Sequence, residues 1–394
     1  MRLNHGIHLA YSTNVHRGET WCETLDSLVN YTLAVRQKVC PQKPFAIGLR
    51  LSHQAAIELS DPITLLEFQR WLEKNSCYVF TINGFPFGRF HGTRVKENVY
   101  RPDWTSPERL DYTNLLFDLL AQLLPAGIEG SVSTLPGSFK EFIRTGEQQQ
   151  IIRESLWKCV EHVAQLAEST GKKLHLGLEP EPLGLIENSR ETVRFFEQLR
   201  DEHPRDPRLG VHLGVNYDTC HFAVEFEEPR PALAVLRDAG IRISKIHLSS
   251  ALKTIATPEA RAALKQFADD VYLHQVVARN ADGTLKFHRD LPDALANFPN
   301  FQLRRMAHSF SRPAARARRA AAPKHKRPSA RRTGRARGNP GPLHAPRNGD
   351  LHLGSAAAGI EIAQRRRAAC GGIPLDTLAP RRARPHRGIK QLPL

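Results

Sequence analysis

Short apolar runs alternate with longer amphipathic stretches through the first 303 residues of the chain. Helix-like stretches lie between most of the runs, as at 107–124, 148–170 and 189–201. Strands that alternate with helices are typical of parallel βα units. The pattern therefore predicts an α/β chain with a parallel sheet. The seven runs are 6–11, 45–51, 78–82, 130–135, 174–178, 209–217 and 241–248.

Seven βα units fit a (β/α)8 barrel, or TIM barrel, whose last βα unit is missing or replaced, and this is the fold that we predict. An open doubly wound sheet is the alternative, but no glycine-rich phosphate loop follows the first run. A segment of 303 residues is long enough for one large domain. We therefore assign residues 1–303 to one incomplete barrel.

The composition of the chain changes at residue 304. Residues 304–394 carry 22 Lys and Arg against 3 Asp and Glu, a net charge of +19, with one Phe and neither Trp nor Tyr. The whole chain is +16, so residues 1–303 are slightly acidic at −3. The apolar side chains of the last segment are too few to offset the entropy lost on ordering. We therefore predict an Arg/Ala/Pro-rich disordered tail over 304–394.

Three interpretations of this tail are open. A natural basic arm would neutralise the phosphates of DNA or RNA, so nucleic acid is a partner only if the tail is genuine. A solvated tail would have no partner. Out-of-frame translation of a GC-rich gene would also produce Arg, Ala, Pro and Gly, and permitted codons for 343–358, read one base later, give CTHLEMETYTWEVLP. We favour this last hypothesis, in which HLEMETYTW would be the eighth strand.

Signals for secretion, membrane insertion and lipid attachment are not evident in the sequence. The six cysteines are scattered and form no CxxC pair, which indicates neither a disulfide framework nor a cysteine zinc site. We expect no membrane span and a cytoplasmic protein.

Acidic and imidazole side chains follow three consecutive late runs. The fifth run leads to Glu179, the sixth to Asp218 and His221, and the seventh contains His247 at its end. Because the carboxyl ends of parallel barrel strands meet at one face, these side chains can converge on one divalent cation. Carboxylate and imidazole ligands suit Mn, Zn, Mg or Co. A lone Glu more often caps a helix and a lone His more often packs in the core, so the prediction depends on the three runs together.

The order LEP, DTCH and KIHL resembles the xylose isomerase-like TIM barrel superfamily, which includes sugar isomerases, epimerases and endonuclease IV. The segments NHGIHLAYSTNVHRGETW, STLPGSFK and LEPEPLGLIEN more closely resemble the EboE family, described as metabolite traffic proteins. The superfamily resemblance implies Glu179, Asp218 and His247 as metal ligands and His221 as a substrate or second-metal residue. It also implies a Glu on the last strand, which this chain lacks. Our candidate catalytic residues are Glu179 and His221.

Two residues after the seventh run are candidates for an auxiliary metal site. Endonuclease IV places extra zinc ligands after its corresponding strand, and His288 and Asp290 lie in that region here. A charged hairpin is the alternative. A full trinuclear nuclease site would also need histidines on the second and third strands, where the sequence offers only His53. Endonuclease activity is therefore disfavoured.

Three functions are open from the sequence. The first is an EboE-like metabolite traffic protein that binds or processes a small-molecule metabolite at the metal site. The second is a metal-dependent sugar isomerase or epimerase, in which the metal would polarise a carbonyl while a carboxylate moves a proton. The third is nucleic-acid binding through the tail or an endonuclease IV-like phosphodiesterase.

Resequencing the gene between the codons for Asn300 and Ala307 tests the out-of-frame hypothesis. Permitted codons for 304–317, read in the shifted frame, give DEWRIHFHVPLHA, which has the strand-like apolar pattern that the tail lacks. We therefore expect to find a single-base shift in this interval. Confirmation of the present frame, by sequence and by tryptic peptides from 312–341, would contradict the hypothesis and make the basic tail genuine.

Overall fold

The computed structural model describes residues 1–88, 96–255, 257–268, 274–280 and 282–297, and the backbone of the strand Leu303–Phe310. Seven parallel strands form the main sheet, and they neighbour one another in chain order. Sequential parallel order is the arrangement expected for successive βα units. The strands are β1 (Ala10–Ser12), β2 (Phe45–Arg50), β3 (Cys77–Asn83), β4 (Gly130–Thr134), β5 (Leu174–Leu178), β6 (Leu213–Asp218) and β7 (Arg242–His247).

The main sheet is curled, as its side-chain contacts show. The Lys245 ammonium on β7 donates to Asn83 Oδ1 on β3 at 2.6 Å and to Ser133 Oγ on β4 at 2.9 Å. In a flat sheet β7 and β3 would lie about 19 Å apart, since neighbouring strands are about 4.8 Å apart. A lysine side chain cannot span that distance. The seven strands therefore form a curled half-barrel, which confirms the predicted TIM-barrel class of fold.

Helices follow the strands and supply the outer layer of the fold. The longest, at 146–170, begins with a capping box between Thr145 and Gln148 and ends at Gly171, whose φ is +66°. A positive φ favours glycine, so this residue ends the helix without strain. The α-helices are α1 (Trp21–Ser27), α2 (Leu33–Val39), α3 (His53–Leu59), α4 (Pro62–Lys74), α5 (Pro107–Leu123), α6 (Gly146–Thr170), α7 (Ser189–Glu202), α8 (Pro207–His212), α9 (Thr219–Val224), α10 (Pro229–Asp238), α11 (Pro258–Leu264) and α12 (Leu291–Ala296). Shorter 3₁₀ helices are Asn4–Gly6, Thr13–Val15, Lys96–Tyr100, Lys140–Phe142 and Lys265–Phe267, and Leu28–Thr32 is a π-helical turn.

The sixth apolar run was expected to be one strand, and the structure corrects this. Its first residues belong to α8, and β6 begins only at Leu213. The reason lies just before the run, where the Asp206 carboxylate accepts a hydrogen bond from the backbone N–H of Arg208 at 2.9 Å. Pro207 occupies the first turn of the helix, where it is well tolerated. Local capping therefore overrides the apolar pattern of the run.

A second sheet follows the half-barrel. Two of its strands, at 276–280 and 285–288, form the charged hairpin that the sequence offered as an alternative, and the rest of the sheet was not predicted. The sheet is antiparallel, in the order β10–β9–β11–β8, and it packs with α11 and α12 around Val276, Leu291 and Leu295. The predicted boundary at residue 304 falls inside its last strand, so the backbone of 304–310 is part of this sheet. The rest of the predicted tail lies outside the described residues. The strands are β8 (Ser250–Thr254), β9 (Val276–Asn280), β10 (Leu285–His288) and β11 (Leu303–Phe310).

Two further expectations concern membrane-spanning helices and disulfide bonds. No helix in the described part of the chain has the length and apolar character needed to cross a bilayer. The cysteines in that part, which are Cys22, Cys40, Cys77, Cys159 and Cys220, are all free.

An acidic cluster lies between the start of α7 and the end of α9. The Lys140 ammonium donates to the carboxylates of Glu187 and Glu191. Glu225 is only 5% exposed, and its Oε1 has no hydrogen-bond partner among the described residues. Burial, with the negative charges of Glu187 and Glu191, raises the pKa of Glu225 to about 9. Glu225 is therefore protonated at neutral pH.

Glu225→Gln should reduce the pH dependence of stability. The folded-state pKa of Glu225, about 9, lies above its ordinary value of 4.5, so its stabilisation is complete below pH 4.5 and is lost as the pH rises towards 9. We expect the free energy of unfolding of the wild type to fall between pH 5 and pH 8 by on the order of 4 kcal/mol more than that of the variant. Urea unfolding at both pH values measures this difference.

Glu228→Gln is the matched control, because Glu228 is exposed at the start of α10. This control should keep the pH dependence of the wild type. If Glu225→Gln also kept it, the assigned pKa of Glu225 would be wrong.

Candidate metal centre

Three predicted ligands meet at the carboxyl-terminal edge of the half-barrel. Glu179 follows β5, and Asp218 and His247 are the last residues of β6 and β7. His247 Nδ1 lies 3.2 Å from Glu179 Oε1 and 3.5 Å from Asp218 Oδ2. One ligand atom from each of the three residues lies within 4.8 Å of the other two. The strand order therefore brings two carboxylates and one imidazole together, as the sequence predicts.

The spacing of these atoms fits a divalent cation. Metal–ligand bonds of about 2.0–2.2 Å in tetrahedral or octahedral geometry place neighbouring ligand atoms about 3.0–3.5 Å apart. The separations from His247 Nδ1, 3.2 and 3.5 Å, fall in this range. Two oxygen ligands and one nitrogen ligand suit Zn, Mn, Mg or Co. The His247–Glu179 and His247–Asp218 pairs therefore fit the predicted metal at their present separations.

Neighbouring polar groups hold the two carboxylates in place. Asn216 Nδ2 donates to Glu179 Oε2 at 2.7 Å. Asp218 Oδ1 accepts from the Ser249 hydroxyl and from the backbone N–H of Cys220, the latter at 2.8 Å. Burial would raise the pKa of Asp218, but His221, His247 and the Ser249 hydroxyl hold it well below its ordinary value. The site therefore presents ionised Asp218 to a cation at neutral pH.

His221 lies beside the three ligands. Its Nδ1 is 3.8 Å from Glu179 Oε1, and ligand atoms of Asp218, Cys220 and His221 form a second group with metal-binding spacing. Burial would lower the pKa of His221, but the charge of Asp218, followed by Cys220 and Glu181, raises it well above its ordinary value. His221 is therefore placed to donate a proton or a hydrogen bond at the site.

A partly buried lysine shares the interior face with the ligands, and it was not predicted. Lys245 is two residues before His247 on β7, and its partner Asn83 Oδ1 is also 3.2 Å from His247 Nε2. Burial lowers the pKa of Lys245 to about 7, against the opposing effect of Glu179 and Asp218. The sequence does contain a signal for this lysine: residues two apart on a strand share a face, so Lys245 could have been placed on the same side as His247.

Glu181, two residues after Glu179, is a second buried acidic residue, and it was not predicted as part of the site. It is 5% exposed, and its Oε2 accepts from Gln275 Nε2 at 3.3 Å. Its Oε1 has no hydrogen-bond partner among the described residues. Burial, opposed by His221 and reinforced by Glu179, raises the pKa of Glu181 to about 7. The LEPEP segment thus supplies two carboxyl groups to this region instead of one.

The residues predicted for an auxiliary metal have structural partners. Asp290 caps α12, where its Oδ1 accepts from the backbone N–H groups of His274 at 3.0 Å and Leu291 at 2.9 Å. Its Oδ2 accepts from Lys96 Nζ at 2.5 Å. His288 is buried at the end of β10. Both oxygens of Asp290 are therefore occupied, and an auxiliary metal at His288 and Asp290 stays a prediction.

Comparisons with known proteins found similar structures but no matching family. No protein-family model and no curated protein matches the chain. A 3-keto-D-glucoside 4-epimerase from E. coli is 14% identical over 61% of this chain and 78% of that one, with a TM-score of 0.38. A xylose isomerase-like TIM barrel protein from Mycobacterium smegmatis, in complex with magnesium, is 14% identical over 59% and 69%, with a TM-score of 0.40. A D-psicose 3-epimerase from Clostridium cellulolyticum H10 is 15% identical over 61% and 84%, with a TM-score of 0.37.

Ser249→Ala should weaken metal binding without removing a ligand. The Ser249 hydroxyl donates to Asp218 Oδ1, and loss of such a ligand-orienting hydrogen bond costs about 10- to 100-fold in metal affinity. Calorimetric titration of the metal-free protein with Mn²⁺ measures the change. Ser244→Ala is the matched control, because the Ser244 hydroxyl on β7 donates to the Leu176 carbonyl and not to a ligand. Equal affinities of Ser249→Ala and the wild type would exclude this role for Ser249.

Proposed function

We propose that this chain binds one divalent metal ion through Glu179, Asp218 and His247 and catalyses a proton transfer on a small polyhydroxylated metabolite, as a sugar isomerase or epimerase does. The convergence of three ligand atoms at the carboxyl-terminal edge of a parallel sheet carries the proposal. This edge is where barrels of this class place their active sites.

The chemistry requires a metal and groups that move protons. A bound divalent ion would supply Lewis-acid polarisation of a substrate carbonyl or hydroxyl oxygen. His221 Nδ1, 3.8 Å from Glu179 Oε1, is positioned to exchange a proton with substrate beside the ligands. Glu181 contributes a further carboxylate oxygen, Oε1, without a hydrogen-bond partner in the described part of the chain. We propose Glu179, as a carboxylate, and His221, as an imidazole, for the acid and base roles.

A binding or traffic function is the second candidate, and Lys245 favours it. Its side chain lies beside the ligand cluster, where the protonated form opposes the charge of an incoming cation. A weakly held metal would leave a pocket that binds a metabolite without the Lewis-acid activation that turnover requires. This is the EboE-like role, in which the protein would bind a metabolite at the barrel mouth and release it unchanged.

Metal loading and solvent deuterium exchange together test the proposal. The full-length protein is stripped with EDTA and reloaded with Mn²⁺, and the bound metal is counted by mass spectrometry. Proton NMR in D₂O then follows the exchange of carbon-bound hydrogen in a panel of ketoses and aldoses. We expect one bound ion per chain and deuterium incorporation, both lost in Glu179→Gln because the variant removes a charged ligand.

Glu168→Gln is the matched control, because Glu168 is exposed on α6, and it should keep both properties. Metal binding with a bound sugar but no deuterium incorporation would select the traffic function instead. Failure of the wild type to bind a divalent ion would contradict both functions. Nucleic-acid binding through 304–394 stays a prediction.

A further inference from the structure

A cleft of about 350 Å³ opens at the amino-terminal ends of β5 and β7, on the side of the half-barrel opposite the metal ligands. His175, which lines the cleft, and Glu179, which follows the other end of β5, are four residue steps apart along extended chain, a distance of about 13 Å. The cleft is therefore a separate site. Its size falls in the range of about 300–1,000 Å³ that is usual for small-molecule sites. The charged and imidazole residues that line it are Glu129, Lys172, Lys173, His175, His212 and Arg242.

The cleft carries an excess of positive charge. Lys172, Lys173 and Arg242 contribute three positive charges, and Glu129 contributes the one negative charge of its lining. Burial, with the nearby positive charge of Arg242, lowers the pKa of His175 to about 3, so this imidazole is neutral. The lining thus has a net charge of about +2 at neutral pH, which attracts anions.

The carboxylate of Glu129 neutralises only part of this positive charge. Its carboxylate accepts from Arg242 Nη2 and makes a longer contact of 3.5 Å with Lys173 Nζ. Among the described residues, Arg242 donates a hydrogen bond through Nη2 only. Its Nε is buried and has no acceptor there. An arginine carries five N–H donors in a fixed planar arrangement. The guanidinium therefore keeps unused donors beside the cleft.

His175 is also unsatisfied. It is 4% exposed, its Nδ1 has no hydrogen-bond partner among the described residues, and its Nε2 lies 3.7 Å from Glu129 Oε2, beyond hydrogen-bond distance. Buried polar groups are normally hydrogen-bonded. An internal ion pair centred on Glu129 explains the positions of Arg242 and Lys173, but it gives this imidazole no partner.

We propose that this cleft binds the phosphate group of a small molecule. Arginine and lysine are the residues that most often bind phosphate, and the planar guanidinium matches its oxygens in pairs. The cleft is larger than one phosphate ion needs, which leaves space for an attached carbon skeleton against Ala167 and Val211. Lys172 donates to the Ala121 and Leu124 carbonyls at the end of α5, so it fixes the wall of the cleft.

Calorimetric titration of the full-length protein in EDTA tests this site separately from the metal centre. The probes are inorganic phosphate and a hexose 6-phosphate, with sodium chloride at matched ionic strength as the blank. We expect saturable binding of a phosphate probe that chloride does not reproduce, and at least a tenfold loss of affinity in Arg242→Gln. Tighter binding of the sugar phosphate would identify a phosphorylated metabolite as the ligand, and equal binding would identify free phosphate.

Arg237→Gln is the matched control, because Arg237 on α10 is 74% exposed and does not line the cleft. If circular dichroism shows that Arg242→Gln is unfolded, Lys173→Gln replaces it, since that side chain is 79% exposed, and we expect a several-fold loss. No saturable binding of either phosphate probe to the wild type would overturn the proposal. The same loss in Arg237→Gln as in the cleft variant would also overturn it.

Discussion

Burial of charge on the inner face of the curled sheet is the constraint on which the candidate site depends. Glu179, Asp218, Lys245 and His247 all lie within this face, where an isolated charge is costly unless it is paired or hydrogen-bonded. Each charged group on this face therefore needs an oppositely charged group or an amide group within hydrogen-bond distance. Asn83 meets this need twice, because its carbonyl oxygen contacts both the Lys245 ammonium and the His247 imidazole. The ligand geometry is set by this network as well as by the strands.

The parallel βα pattern and the three ligands could be predicted because both are local properties of the sequence. An apolar run marks a strand, and a polar residue at its end marks the edge where ligands meet. The antiparallel sheet could not be predicted in this way, since β11 pairs with β8 and β9 across long stretches of chain. The single strand expected over 209–217 was wrong because the cap at Asp206 favours a helix. The apolar periodicity of a sequence reflects the character of its side chains, but it contains no information on helix capping or on the pairing of strands that are distant in the chain.

Burial explains what the sequence could not reveal about the site. Glu181 and Lys245 were not predicted as site residues, because their altered pKa values arise only when the surrounding chain removes water. The same holds at the other end of β5, where His175 becomes neutral and unpartnered. Residue type and spacing identify candidate ligands, whereas protonation state depends on neighbours that are distant in sequence. The proposed function therefore depends on protonation states that no short motif reveals.

The lateral position of β7 in the main sheet has a consequence for local opening. Among the described residues β7 pairs with β6 alone in that sheet, and its remaining ties to the interior include the hydrogen bonds of Lys245 to Asn83 and Ser133. Backbone amides of an edge strand exchange with solvent through smaller openings than those of central strands. Movement of β7 away from β6 would carry His247 out of the ligand cluster while Glu179 stayed at the end of β5. A bound cation would join these strands, so metal would slow amide exchange in β7 far more than in β3 or β4.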